Sequence, residues 1–292
     1  MRLFLPSRMC RLVLTLIAGC GIAASFAVPA SAAQRPTAAT ARLDAKGLAL
    51  VDTYLERSRG ANTRAETVSA NATAKRIFKH VRGASARYDR RSIDTIATYV
   101  VRARMPELQA NLGANLTVYN DALGYVTKSN LFELMRLSPD VLHRIRDAGT
   151  TIHIGDRPIT TMAGMGGLAG TTVRGHEEGE RWEDIGGAYN LTDNAVAAGR
   201  GNASYERYVG TILHELGHAY DAKTQLSSSR EFRSLHQRFG RYADPYFAQA
   251  DEAGPQEYFA DLCRAYWTGG TAEVNSRFGR ETATWMKQAV PR

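Results

Sequence analysis

The stretch Thr211–Asp221, T-I-L-H-E-L-G-H-A-Y-D, constrains this chain more than any other. Residues four apart on an α-helix share one face, one turn apart. As a helix, the stretch therefore points His214 and His218 the same way. Tyr208, Ile212 and Leu216, widened by Tyr205 and Leu213, give that helix an apolar side to bury. Gly217 has no side chain and lets the helix pack closely on a neighbour. Two imidazoles at this spacing can occupy two tetrahedral positions of one zinc ion. Glu215, directly after the first histidine, can reach a water on that ion. Zinc lowers the pKa of such a water to about 7. A carboxylate then takes the proton as the water attacks a carbonyl, and returns it to the leaving amine. That is why H-E-x-x-H suits metal-assisted amide hydrolysis. The motif is short enough to arise by chance, so the rest of the chain has to supply its context.

A working zinc site needs a third protein ligand and one open position. The extension H-E-x-x-H-x-x-G-x-x-H is absent, because Asp221 and Thr224 stand at the glycine and third-histidine positions. That excludes the metzincin class. The alternative is a carboxylate from a later helix. Gly254-Pro255 starts one, Q-E-Y-F-A-D-L-C-R-A-Y-W fills it, and Gly269-Gly270 closes it. Glu257 and Asp261 are four apart and share a face. Glu257 is the expected ligand, with Asp261 one turn deeper to accept a hydrogen bond from a ligand histidine and fix its tautomer. Asp261 itself, or Glu252, is the other choice of ligand. The E-x-x-x-D arrangement is the pattern of gluzincins.

Taken together, H-E-L-G-H-A-Y-D and Q-E-Y-F-A-D-L-C resemble the catalytic domain of anthrax lethal factor and its relatives, a group that includes small secreted Pro-Pro endopeptidases. Gly187-Ala188-Tyr189 and Asn194-Ala195-Val196 are similar to the hairpin that precedes the catalytic helix in that family. The resemblance runs roughly from Leu137 to Arg292 and covers nothing before it. It implies a zincin fold with a small sheet whose edge strand holds an extended peptide by β-augmentation. It implies one zinc ion per chain on His214, His218 and Glu257, with Glu215 as the base. It also implies a tyrosine shortly before the third ligand that stabilises the oxyanion. Tyr246, in D-P-Y-F, is the natural candidate, with Tyr242 and Tyr258 as alternatives. Tyr246 lies eleven residues before Glu257, further than the family's usual gap, and Asp261 stands where the family has glutamate.

The expected fold class is α+β: a mainly helical zincin-like metallopeptidase domain with a small mixed sheet over 131–292, preceded by an all-α region over 34–130. In that first region Gln34–Ala41 reads as a leader. Leu48, Val51 and Leu55, then Ile77, Phe78 and Val81, then Ile93, Ala97 and Val100 recur at helical spacing. Pro106 is expected to end or restart a helix after Met105. Further on, Ser138-Pro139 caps a helix that Gly149 closes, and Thr150–Ile154 alternates as a strand. Eight glycines between Gly164 and Gly187 predict a long mobile loop, with His176 able to meet substrate. Ala188–Ala198 reads as two strands around Thr192-Asp193-Asn194, and Asn202 or Ser204 can cap the helix that follows. His143, His153 and His236 read as structural, and Cys263 as a small buried apolar residue.

Residues 1–33 have the order of a secretory signal peptide: Arg2, Arg8 and Arg11, the apolar run Leu12–Val28, then Ala30-Ser31-Ala32. Cleavage near Ala32 or Ala33 would leave a secreted or periplasmic protein; a lipoprotein attached through Cys20 is the alternative, from Ile17-Ala18-Gly19-Cys20. The segment carries three arginines and two of the three cysteines. Its loss takes the net charge from +8 to +5 and leaves Cys263 alone, with no disulfide framework. Lys75–Arg104 holds nine Lys or Arg against Asp89 and Asp94. Such a stretch is a solvated helix face or a contact for an anionic surface, and without interleaved aromatics it gives no sign of nucleic-acid binding. The expected activity is a monomeric secreted zinc endopeptidase acting on a protein or peptide. Two alternatives stand beside it: a catalytically weak binding protein on the same scaffold, and a toxin-like effector whose helical half delivers or inhibits the peptidase.

Overall fold

The computed structural model describes residues 44–58, 64–89, 92–119, 123–173, 179–201 and 211–291. The signal peptide, Cys20, the leader, His176, the Asn202 or Ser204 cap, Tyr205 and Tyr208 lie outside them.

Among the described residues three helices come first: α1 (Ala45–Ser58), α2 (Arg64–Arg82) and α3 (Ser92–Leu112). Of the apolar positions read at helical spacing, Val51, Leu55, Ile77, Phe78 and Val100 are buried, Val81, Ile93 and Ala97 are partly so, and Leu48 is exposed. Val51 and Leu55 of α1, Ile77 and Phe78 of α2, and Ile96 and Val100 of α3 form one cluster. Phe132, from α4 (Tyr125–Leu134), closes that cluster and ties it to the rest of the chain. Pro106 does not interrupt α3. Both Pro106 and Arg102 are exposed, so the carbonyl that lacks its N–H partner can turn to water. The stretch expected to be wholly helical also contains strand β1 (Leu116–Val118).

The sheet has strand order β1-β2-β4-β3, with β2 (Thr151–Ile154), β3 (Gly187–Asn190) and β4 (Ala195–Ala198). β1, β2 and β4 are parallel, and β3 runs antiparallel to β4 at the edge. α5 (Pro139–Asp147) precedes β2 and is capped by Ser138 with Pro139 at its start. Asn194 takes a left-handed φ of 47° in the β3–β4 turn, and its side-chain amide donates to the Ala148 carbonyl at 3.0 Å. β4 is buried along its whole length and divides its residues by the period of two. Val196 and Ala198 face the main core, while Ala195 and Ala197 face a second, smaller one.

For the described residues between Gly164 and Gly187, that smaller core corrects the expectation of a long mobile loop. Ile159, Met162, Met165, Val173 and Ile185 pack with Ala195 and Ala197. Short 3-10 turns at Ile159–Thr161, Gly166–Leu168 and Trp182–Asp184 connect them. In the described part of that stretch glycines sit at the turns, and the apolar residues between them pack against the sheet.

The main core lies between the sheet, α6 (Ile212–Thr224), α7 (Arg230–Leu235), α8 (Ala253–Phe278) and α9 (Arg280–Ala289). Phe232, Phe259 and Trp285 meet there, with ring centroids 5.4 Å and 5.0 Å from Phe232. The helical stop expected at Gly269-Gly270 is a sharp break inside α8: Gly270 has φ 65° and ψ −158°. That region is essentially open only to glycine. Among the described residues, no helix is long and apolar enough to cross a membrane.

α6 and α8 approach each other at Gly217. A Cβ there would lie 2.7 Å from the Ala260 Cα and 2.9 Å from its carbonyl oxygen, both backbone atoms. Gly217→Ala is expected to force the helices apart and cost about 1–3 kcal/mol, the usual penalty of an overpacked core. Denaturant unfolding of the metal-free protein checks this. Unchanged stability would mean that the contact is looser than its geometry.

Candidate metal centre

α6 is held at both ends. At its start the Ile212 N–H donates to the Asn130 side-chain oxygen of α4 at 3.2 Å. At its end Gln225 takes a left-handed φ of 53°. The Asp221 carboxylate accepts from the Ser227 N–H at 2.8 Å and from its hydroxyl at 2.5 Å. Ile212, Leu213, Leu216 and Ala219 are buried, leaving His214, Glu215 and His218 on a half-buried flank. Glu257, in the first turns of α8, reaches that flank. The His214 and His218 Nε2 atoms lie 3.1 Å apart, and the Glu257 Oε2 is 3.0 Å from the first and 3.2 Å from the second.

This triangle fits a tetrahedral ion. Ligand bonds of 2.0–2.1 Å place neighbouring ligand atoms about 3.3 Å apart, so a small expansion suffices. The donor set is also right: two imidazole nitrogens and one carboxylate suit zinc. The charges agree. Burial alone would depress His214, but the carboxylates of Asp261, Glu257 and Glu215 reverse this and push its pKa up to about 10. The pocket thus favours a cation at this point, either a proton on the ring or a metal ion. Burial likewise works against ionisation of Glu257, yet the two histidines hold it well below the usual carboxylate range.

Asp261 lies behind His214, with its Oδ1 3.8 Å from Nδ1, beyond hydrogen-bond reach but facing the ring nitrogen that Glu257 does not use. Burial raises its pKa, and Arg264, His214 and Arg277 more than offset that. Glu252 is at the surface, paired with Arg233, and takes no part in the cluster. Of the three tyrosines, Tyr242 is 74% exposed, and Tyr258 is wholly buried among Phe232, Phe247 and Phe278. Tyr246 lines the same cleft as His214, Glu215, His218 and Glu257. Its phenol is pushed far above the ordinary range, by burial first and then by Glu257 and Glu215. A 3-10 turn at Pro245–Ala248, capped by Asp244 accepting from the Tyr246 N–H at 2.8 Å, absorbs the long gap before Glu257. His143 meets Asn111, His153 meets Tyr119, and His236 donates to the Phe247 carbonyl. Cys263 is buried, which raises its thiol pKa.

The cleft holds about 650 Å³. Val173, Trp182 and Ile185 form one wall, and Gly187, Tyr189 and Leu191 bring the β3 edge to it. Sequence reasoning had not singled out Val173, Trp182 or Ile185, since nothing in a glycine-rich stretch tells which apolar residues turn inward. It also missed why Gly187 is glycine. A Cβ there would lie 3.0 Å from the Glu215 Oε1 and 3.0 Å from the Thr211 Cβ, so the bare backbone makes room for Glu215. All described lining residues fall between Val173 and Glu257. The described part of the helical half therefore does not cover the cleft.

No family model matches the chain, and no curated protein matches it in sequence. Among solved structures it is similar to the Pro-Pro endopeptidase from Paenibacillus alvei, at 20% identity and a TM-score of 0.49, over 61% of this chain and 98% of that one. At that score the likeness is slight, and both fold and site stand on their own geometry.

Proposed function

We propose that this chain is a zinc-dependent endopeptidase of the zincin type. The convergence of His214, His218 and Glu257 on one point, in a cleft shared with Glu215 and Tyr246, carries the reading. Zinc held by those three residues would supply Lewis-acid chemistry and acidify water to a pKa of about 7. Glu215 takes the proton of the attacking water and passes it to the leaving amine. The Tyr246 phenol, kept protonated by burial and the two nearby carboxylates, donates a hydrogen bond to the developing oxyanion. Asp261 orients His214 from behind. The open side of β3 takes an extended peptide as an added strand. The described lining residues include no Lys or Arg, which suits peptide segments without acidic side chains near the cut.

The same proposal places the enzyme outside the cytoplasm as a monomer, after loss of residues 1–33. The exposed Lys75, Arg76, Lys79, Arg82 and Arg87 would then face an anionic surface. The test is cleavage of a peptide library by the mature chain. Hydrolysis should stop with 1,10-phenanthroline and return with added zinc. One bound zinc ion without any cleavage would instead favour a binding protein on this scaffold.

A further inference from the structure

On α8, Glu257, Asp261 and Arg264 recur at four and three residues and share the face turned to α6. Asp261 has an almost fully buried side chain, 8% exposed, yet both of its oxygens are engaged by arginines. The Arg264 Nη2 is 2.5 Å from Oδ1, and the Arg277 Nη2 is 2.6 Å from Oδ2. Arg264 is a neighbour on the same helix, but Arg277 is not. Sixteen residues along an unbroken helix span about 24 Å, far outside side-chain reach. The break at Gly270 turns the second limb of α8 back along the first and delivers Arg277 to Asp261. Each arginine is about a quarter exposed or less, so neither is an ordinary surface pair.

Resting on the zinc-site reading, we propose that Arg264 and Arg277 are positioning residues for the metal centre. They clamp Asp261 in the one place from which it can face His214 Nδ1, and so set the orientation of a metal ligand they never touch. A buried carboxylate without them would face an uncompensated desolvation cost and would turn toward water. His214 would then lose the carboxylate that faces its Nδ1. Outer partners of metal-bound histidines typically change metal affinity by 10–100-fold. The folded-back limb, from Gly270 to Phe278, thereby becomes part of the metal site although it lies behind it.

Zinc affinity of the full mature chain, measured by competition with a chromophoric chelator, tests this without any peptide substrate. Arg277→Gln and Arg264→Gln should each bind zinc about tenfold or more weakly, and Arg277→Lys should recover part of the loss. The visible spectrum of the cobalt-loaded protein should shift in the glutamine variants. Arg238→Gln, which removes a surface pair with Glu281, serves as the control and should bind zinc normally. Circular dichroism with chelator present checks that each variant folds. Wild-type affinity and an unchanged cobalt spectrum in both folded glutamine variants would overturn the clamp while leaving the zinc site intact. Absence of zinc binding by the wild type would overturn both.

Discussion

Glu215→Gln is expected to slow peptide cleavage about 10³-fold while leaving one zinc ion bound per chain. General acid–base groups contribute roughly 10²–10⁴-fold, and one residue is asked here both to take the proton and to return it. Glutamine has nearly the same shape as glutamate, so it keeps the packing beside Gly187, where the Glu215 oxygen occupies the space that a Cβ would need. An amide cannot accept the proton. The zinc triangle does not include Glu215, so metal content should be unchanged. The loss should fall on kcat with KM nearly constant, because the group acts in the transition state rather than in binding. Full activity in the variant would end the assignment of Glu215 as base. Loss of zinc together with activity would show that Glu215 is a ligand after all.

The parts of this molecule that could be read in advance are those whose physics is local. Ser138 and Pro139 mark a helix start because a cap and a fixed φ act within one turn. His214 and His218 share a face because 3.6 residues complete a turn. Asn194 marks the hairpin because asparagine tolerates the left-handed conformation that the turn needs. The unreadable parts depend on distant partners. Met162, Met165 and Val173 belong to a core only because β4 presents Ala195 and Ala197 to them. β1 is a strand because Ile152–Ile154 lies beside it. Gly269-Gly270 was visible as an end of helix, but not as a reversal, since the direction of the second limb is set by what it packs against.

The site divides in the same way. Five of its groups lie in two short motifs, and spacing alone puts His214 with His218, and Glu257 with Asp261, on one helix face. That Glu257 rather than Asp261 or Glu252 meets the histidines depends on how α8 docks on α6, which Gly217 and Ala260 determine by contact. Tyr246 needed the turn at Pro245–Ala248 to bridge its unusual separation. Arg277 has no periodic relation to Asp261 at all, so only the folded chain reveals it.

Glu257→Ala separates the three carboxylates most sharply. Zinc at a hundred times its Kd stabilises a folded protein by about 2.7 kcal/mol when it binds only the native state. For a domain of this size that corresponds to a Tm lowered by about 5–10 °C on chelation. Removing Glu257 deletes one corner of the triangle and leaves two histidines, so affinity should fall by more than the roughly hundredfold typical of outer partners. At the same zinc concentration the remaining stabilisation is then about 0.4 kcal/mol or less, and the chelator response disappears. Glu252→Ala should keep the full response, because that side chain sits on the surface with Arg233. Asp261→Asn should keep a reduced one, because Asp261 faces the far nitrogen of His214 and not the ion. A Glu257→Ala protein that still gains several degrees from zinc would place the third ligand elsewhere. Asp261 would then be the first residue to suspect, since it is the other buried carboxylate within reach of His214.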